Sequence, residues 1–170
     1  TMDATTWLLS EAAALRIDPS RIGLAGDSAG GNIAAVLAQH LRDEGLAVRH
    51  QALLYPATDL RERPEIVALG EGPEHPILTV AMTAAFRAGY LGTDQDGADP
   101  LLSPILGDLH GLPPALVQTA DLDPLRDDGL AYADALRAAG VPVVSTTYPN
   151  TPHGYASFPG LTAHGWAARE

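Results

Sequence analysis

Apolar residues recur along the chain in two patterns, one with helical spacing and one of short continuous runs. The helical pattern is clearest at residues 29–44, where Ile33, Leu37 and Leu41 share one face before Gly45 ends the helix. The apolar run at residues 52–54, closed by a proline, is typical of a buried strand. The same criteria predict helices at 3–15, 29–44, 79–91, 124–139 and from near 158, and strands at 21–25, 48–55, 115–120 and 141–147.

Strands and helices alternate along the chain, and this order predicts the architecture. Short strands joined by helical crossovers pair in parallel, with right-handed connections. The sequence therefore predicts an α/β fold with a mostly parallel sheet of about four strands. Residues 59–100 interrupt the alternation, because residues 58–78 contain three Pro, two Gly and seven charged residues. We interpret 59–100 as an insertion over one end of the sheet.

The charge balance narrows the partners that the chain can have. The 170 residues carry 10 Lys+Arg against 21 Asp+Glu, for a formal charge of -11. Phosphate backbones and anionic lipid surfaces bind clustered positive charge, so neither nucleic acid nor a membrane is an expected partner.

The sequence lacks cysteine and lacks any long apolar run, and these two absences exclude further kinds of site and of protein. The chain has no cysteine, which excludes disulfides, thiolate catalysis and cysteine-ligated zinc. No apolar run approaches the ~20 residues that a membrane helix needs. We expect a cytoplasmic protein. Its first residues, Thr1 and Met2, already lie in a helical pattern, from which we expect that the natural N-terminus is missing.

The segment Gly-Asp-Ser-Ala-Gly-Gly at residues 26–31 lies between a predicted strand and a predicted helix. This context suits a nucleophile elbow, a sharp turn that projects the hydroxyl of Ser28 above the sheet. Gly26 and Gly30 are expected to leave space for the turn, and the Ala29 N–H to bind a developing oxyanion. The alternative is a glycine turn that holds a phosphate at a helix N-terminus, which the negative charge of Asp27 disfavours.

An elbow serine needs a histidine base, and the expected chain order is Ser, acid, His. Of the six histidines, His153 alone falls in a loop beyond the last predicted core strand, where the carboxyl ends of parallel strands gather ligands. The alternative interpretation of His153 is a solvated loop residue.

Two carboxylates follow the third predicted strand and are candidates for the group that orients the base. Asp123 precedes a proline at a predicted helix start, so its alternative role is an N-cap worth about 1 kcal/mol. Asp121 could orient the histidine instead, and spacing along the chain does not separate the two.

Three motifs together carry a family resemblance: Gly-Asp-Ser-Ala-Gly-Gly at 26–31, Asp-Pro-Leu-Arg-Asp at 123–127 and His-Gly-Tyr at 153–155. The sequence resembles the hormone-sensitive-lipase-like esterases of the α/β-hydrolase superfamily over nearly its whole length. The resemblance implies Ser28 as nucleophile, His153 as base and Asp123 as orienter. It also implies a serine carboxylesterase that hydrolyses short- to medium-chain acyl esters, with no metal or other cofactor.

The resemblance also gives residues 59–100 an expected role. The family carries lid elements at this point of its fold, so the insertion is expected to be lid-like. Met82 and Phe86, on one stripe of the predicted helix, then either line an acyl pocket or pack as ordinary helix residues.

One departure from the family pattern affects the expected activity. The family has a His-Gly-Gly-Gly segment before its serine, which completes the oxyanion hole, and no such segment occurs here. Residues 1–170 are therefore expected to be a truncated catalytic domain that lacks the N-terminal half of the fold. We expect impaired activity, because losing one oxyanion donor typically costs about 10²–10³ in turnover. The elbow strand becomes an exposed edge, through which the chain is expected to aggregate or form homo-oligomers.

A second function class stays open. The family includes gibberellin receptors that keep the fold and lose the catalytic histidine, so a non-catalytic binding protein is the alternative. The presence of His153 disfavours that route, but a catalytically dead truncation remains possible. The expected partner in either case is a small molecule, for the esterase an acyl ester.

Overall fold

The computed structural model describes residues 2–46, 48–62, 77–93 and 95–158. The described strands are β1 (Leu24–Asp27), β2 (Gln51–Leu54), β3 (Ala115–Leu122) and β4 (Val143–Pro152). The described helices are α1 (Met2–Ser10), α2 (Ala29–Asp43), α3 (Val80–Leu91) and α4 (Arg126–Ala138). Strands and helices alternate as the sequence pattern predicts, and the predicted α/β class is confirmed.

The four described strands form one parallel sheet in the order β1-β2-β3-β4. Each strand lies beside its predecessor in the chain, and one register row runs Gly26, Leu53, Val117 and Ser145. Parallel strands share one carboxyl edge, so the loops that follow β1, β3 and β4 emerge at the same end of the sheet. β1 lies at one edge of this sheet, as the sequence analysis predicts for the elbow strand.

Helices α2 and α4 pack against the same face of the sheet and bury the larger apolar cluster. The small side chains of α2 let its backbone lie close to β1 and β2, which gives the dense packing of a protein interior. The cluster contains Ala34, Ala35 and Ala38 from α2, Leu53 and Val117 from the strands, and Tyr132, Ala133 and Leu136 from α4.

The opposite face of the sheet is partly exposed in the described part of the chain. Its central register row is Ala25, Ala52, Leu116 and Val144, and the side chain of Val144 is 65% exposed. At the carboxyl end of this face, a smaller apolar cluster is built around Tyr55, Ala120 and Tyr155.

Several predicted boundaries are wrong, and local hydrogen bonds account for one of them. α1 ends at Ser10 rather than at residue 15, where the Ala12 N–H donates to the Leu9 carbonyl, three residues back, instead of continuing the four-residue helical pattern. α4 begins two residues later than predicted, at Arg126, after Pro124 and Leu125 have turned the chain.

The strand boundaries differ because pairing, and not apolar character alone, defines a strand. β1 continues through Gly26 and Asp27, which pair with Leu53 and Leu54. β4 extends to Pro152 because β3 also continues, to Leu122, after an irregularity in register.

The predicted insertion contains the predicted helix, α3. Thr79 caps it, as predicted, by accepting a hydrogen bond from the Met82 N–H at 3.1 Å. The remainder of the irregular stretch predicted at 58–78 lies partly outside the described residues, and the helix predicted from Phe158 onward lies outside them almost entirely. None of the helices in the described ranges has the length and apolar character to cross a membrane.

Candidate active site

Ser28 occupies the turn between β1 and α2 in an uncommon backbone conformation. Its φ is +54° and its ψ is -118°, a region that residues with a side chain rarely adopt. The backbone around it fixes this geometry: the Ser28 N–H donates to Leu54 at 2.9 Å, and its carbonyl accepts from Asn32 and Ala57. Strain of this kind persists only where the surrounding structure imposes it, and it is typical of functional turns.

Two glycines make the turn possible, and one of them is not the glycine that the sequence indicates. A Cβ on Gly26 would collide with the backbone carbonyl of Gly30, and a Cβ on Gly31 would lie 2.8 Å from Pro56 Cβ. A Cβ on Gly30 would meet nothing closer than Asp27 Oδ1, at 3.8 Å. The expectation that Gly30 leaves necessary space is therefore wrong, and Gly31 takes that role beside β2.

His153 follows directly on β4, in a loop that Asp121 holds in place. The carboxylate of Asp121 accepts backbone N–H bonds from Asn150 at 2.8 Å and from Thr151 at 2.9 Å. Burial acts to raise the pKa of Asp121, but these bonds, together with backbone hydrogen bonds from Asp121 itself and Leu122, outweigh it and hold the pKa below its ordinary value. After the histidine, Gly154 adopts a left-handed conformation with φ +77° and turns the chain away.

Asp123 contacts the histidine, and Asp121 does not take that position. Asp123 Oδ2 lies 2.7 Å from His153 Nδ1, while its Oδ1 accepts the Leu125 N–H at 2.8 Å. The carboxylate thus both turns the chain toward α4 and faces the imidazole. Both side chains are buried, with Asp123 3% and His153 8% exposed.

The second nitrogen of the imidazole faces the elbow. His153 Nε2 lies 2.9 Å from Ser28 Oγ, across 125 positions of sequence. Ser28, Asp123 and His153 therefore form one continuous hydrogen-bonded chain at the carboxyl edge of the sheet. A serine, an imidazole and a carboxylate in this order can move a proton from the hydroxyl as it attacks an electrophile.

Ala29 is the first residue of α2, next to Ser28. The first N–H groups of a helix have no acceptor within the helix, and the helix dipole makes this end positive. Both properties make the backbone amides at this end of α2, that of Ala29 included, suited to binding an anion.

An open cleft of about 680 Å³ reaches Ser28 and His153, and its walls are mainly apolar. Met82 and Phe86 line it, 41% and 65% exposed, so they are not core residues of α3. Charged groups lie at its margin, among them Asp59 and Arg61, which form an ion pair at 2.7 Å. The other large apolar side chains in its wall are Ile33, Leu60, Ile77, Leu78, Val80, Tyr90 and Leu125.

Asn32 is a site residue that the sequence analysis missed. Its buried Nδ2 donates to the carbonyls of Ala57 at 2.7 Å and Leu102 at 2.8 Å, which fastens both ends of the insertion to α2. A polar residue within an apolar helix face was the available signal. Within the ranges that the structure describes, no three His, Asp or Glu side chains lie together as a metal site would require.

Comparison with known proteins places the geometry in a family. A family model described as the alpha/beta hydrolase fold matches residues 1–157. The chain belongs to the α/β-hydrolase fold family. The resemblance to hormone-sensitive-lipase-like esterases is confirmed by relatives of this α/β-hydrolase chain that are themselves carboxylesterases.

Two relatives illustrate the similarity in sequence. Carboxylesterase NlhH of Mycobacterium tuberculosis is 45% identical over 162 residues, which cover 91% of this chain and 50% of that protein. Ethyl acetate hydrolase of Pseudomonas putida is 38% identical over 158 residues, with 91% and 49% covered. The α/β-hydrolase chain thus spans about half the length of these relatives.

Solved structures are likewise matched over somewhat more than half of their length. The thermophilic carboxylesterase EstE1, cloned from a metagenomic library, superposes with a TM-score of 0.91 at 38% identity, covering 98% of this chain and 57% of that one. A hyperthermophilic esterase from Pyrobaculum calidifontis gives 0.90 at 42% identity, with 98% and 55% covered. The α/β-hydrolase fold predicted from the sequence is confirmed.

Proposed function

We propose that the chain carries the catalytic triad of a serine carboxylesterase, with Ser28 as nucleophile, His153 as base and Asp123 as the orienting acid. The observation that carries this proposal is the continuous contact from Asp123 Oδ2 through the imidazole to Ser28 Oγ, at 2.7 and 2.9 Å. Relatives that are carboxylesterases support the reaction class.

The proposed reaction follows from the positions of these groups. Ser28 Oγ attacks the ester carbonyl carbon while His153 Nε2 takes the hydroxyl proton. Asp123 fixes the tautomer at Nδ1 and stabilises the imidazolium that forms. The imidazolium then protonates the departing alcohol, which leaves an acyl-Ser28 ester, and the same base activates the water that hydrolyses this ester.

The Ala29 N–H would stabilise the negative charge that develops on the carbonyl oxygen. Such donors act in the transition state, and each typically contributes about 10²–10³ in turnover. It is the only oxyanion donor that we propose from residues 1–170. We therefore propose that these residues correspond to the C-terminal half of the relatives' catalytic domain and are impaired when they act alone.

The cleft supports short- to medium-chain acyl esters as the substrate class. Met82 and Phe86 present uncharged surface beside Ser28, and burial of each acyl CH₂ contributes roughly 0.8 kcal/mol. We propose that these two side chains contact the acyl chain and that the residues of the insertion act as a lid. A cytoplasmic location remains a prediction.

Covalent labelling tests the proposed nucleophile. A fluorescent alkyl phosphonate is expected to label the chain at Ser28, and Ser28→Ala to abolish the labelling, which is measured by in-gel fluorescence and peptide mass spectrometry. Ser10→Ala, on α1, is the control and should label like the parent. Persistent labelling of Ser28→Ala would show that another residue is the nucleophile.

Turnover tests the proposed impairment separately. Intact esterases typically act at ~10 s⁻¹, and we expect the 170-residue chain to hydrolyse p-nitrophenyl butyrate at least about 10²-fold more slowly. A rate near 10 s⁻¹ would overturn the impairment and leave the triad standing. Absence of labelling, with tight binding of an ester analogue, would favour the non-catalytic binding protein instead.

A further inference from the structure

Tyr55 packs against the base of the proposed triad, although it belongs to none of the motifs in the sequence. It follows β2 directly, its side chain is fully buried, and its φ of +37° is rare for an aromatic residue. Its N–H donates to the Gln118 carbonyl at 2.6 Å, which fixes the backbone in this conformation. Backbone strain of this kind clusters at functional sites, where the surrounding structure imposes it.

The ring of Tyr55 packs against the imidazole of His153. The two ring centroids are 4.8 Å apart, with 63° between the ring planes, which is an edge-to-face arrangement. On another side, Tyr155 packs against the same phenol ring at 5.0 Å and 69°. Tyr55 is therefore held between His153 and the short turn that follows it, with its ring edge-to-face against the imidazole.

The hydroxyl of Tyr55 connects the two segments that carry Ser28 and His153. It donates to Asp27 Oδ2 at 3.3 Å, and the Ala156 backbone and the Ser157 side chain also hydrogen-bond to it. Burial, with a further contribution from the negative charge of Asp27, raises the pKa of Tyr55 to about 12. The phenol therefore keeps its proton at neutral pH and remains a donor.

From these contacts we propose that Tyr55 is a positioning residue for the triad, which holds the His153 imidazole between Asp123 and Ser28. The ring limits the orientation of the imidazole, and the hydroxyl joins the residue before the nucleophile to the turn after the base. This inference rests on the proposed esterase function, because it assigns Tyr55 a role through His153 and not a contact with substrate.

Two substitutions separate the contributions of the ring and the hydroxyl. In Tyr55→Leu the ring is lost, and we expect the limiting rate constant for phosphonate labelling to fall by about 10²-fold, as for a misplaced catalytic group. In Tyr55→Phe the ring remains, and we expect a recovery to within about tenfold of the parent, the loss expected for one hydrogen bond. The concentration of phosphonate that gives half the limiting rate should stay unchanged, because Tyr55 does not line the cleft.

The control is Tyr132→Leu, which removes a fully buried ring from α4 in the main core, among residues outside the triad. It should lower the thermal midpoint while the folded protein labels at the parental rate. If Tyr132→Leu and Tyr55→Leu slow labelling equally in folded protein, or if neither Tyr55 variant slows it, the positioning role is wrong.

A measurement on the imidazole itself keeps this inference distinct from the proposed function. The proton on His153 Nδ1, held against Asp123, should give a downfield NMR resonance with slow solvent exchange, retained in Tyr55→Phe and lost in Tyr55→Leu. This readout needs no reactive serine, so an unlabelled parent would overturn the esterase proposal while the resonance still tests Tyr55. If Tyr55→Leu gives no folded protein, Tyr55→Phe decides, because removing the hydroxyl is expected to slow labelling severalfold; an unchanged labelling rate would overturn the link that the hydroxyl makes between the segments of Ser28 and His153.

Discussion

Single atoms at the elbow decide whether the backbone can hold Ser28. Gly26 packs on the Gly30 carbonyl with no room for a methyl group, whereas Gly30 itself has open space on its Cβ side. The two glycines lie in the same motif and differ only in what surrounds them. The motif thus combines one position at which a side chain is sterically impossible with one at which it is tolerated.

This difference predicts opposite outcomes for two conservative substitutions. Gly26→Ala is expected to destabilise the chain by about 1–3 kcal/mol or more and to abolish phosphonate labelling, because the β1–α2 junction must move. Gly30→Ala is the matched control, and it is expected to unfold at an equal or higher urea concentration, because alanine favours the helix. Chemical unfolding of the two variants measures the contrast, and equal stability would contradict the steric assignment.

At the scale of elements, β4 and the loop that follows it position His153 next to Ser28. β4 runs to Pro152, and Asp121 at the end of β3 anchors the backbone of residues 150 and 151 just before His153. The candidate acid and the loop anchor are thus neighbours on the same strand end. Asp123 faces the imidazole, and Asp121 fixes the loop that carries it.

The hydrogen bonds that the Asp121 carboxylate accepts predict a pH-dependent contribution to the free energy of unfolding. Because the folded-state pKa of Asp121 is depressed, its contribution is present above the unfolded pKa, about 3.9, and is lost as the pH falls through the lower folded value. Asp121→Asn should therefore lower the free energy of unfolding by about 1 kcal/mol at pH 7, a small value because the group is partly exposed. The difference from the parent should shrink below about pH 4.

Urea unfolding at pH 7 and pH 3 measures this effect. Asp134→Asn, which removes an exposed ion pair with Arg137 on α4, is the control and should change stability little at either pH. A difference between parent and Asp121→Asn that is the same at pH 7 and pH 3 would contradict the linkage to the loop hydrogen bonds.

At the scale of the whole molecule, the sheet of the described residues has an open side next to the active site. The Leu24 N–H donates to the His50 carbonyl, just before β2, and the Ser28 N–H donates to the Leu54 carbonyl. The alternation of a parallel strand therefore directs the backbone groups of Ala25 and Asp27 to the free edge. Unpaired edge groups of this kind can template pairing with another strand. We therefore propose self-association of the 170-residue chain through β1.

A charge at this edge tests the proposal. Ala25→Lys should shift the chain toward monomer, because lysine on an edge strand opposes pairing with a second strand. Sedimentation velocity at several protein concentrations measures the shift. Ala131→Lys, at an exposed position on α4, adds the same charge away from β1 and should leave the association unchanged. Equal behaviour of both variants would exclude β1 as the interface.

What the sequence by itself determined was the alternation of elements, the parallel α/β class and the identity of Ser28 and His153 as candidates. These follow from local patterns: apolar periodicity, glycines that end helices, and a serine motif between a strand and a helix. The choice between Asp121 and Asp123 did not follow from spacing, and the family resemblance alone favoured Asp123.

The tertiary structure decided which carboxylate faces the imidazole, which glycine is crowded, and where Tyr55 and Asn32 lie. Most of these depend on contacts between groups far apart in the sequence, such as that of Gly31 with Pro56 and that of Asp123 with His153. A tyrosine after a strand carries no local signal of a role. An asparagine within an apolar helix face is a signal, but it does not name its partners, because the carbonyls of Ala57 and Leu102 lie in other segments and reach Asn32 only in the folded chain.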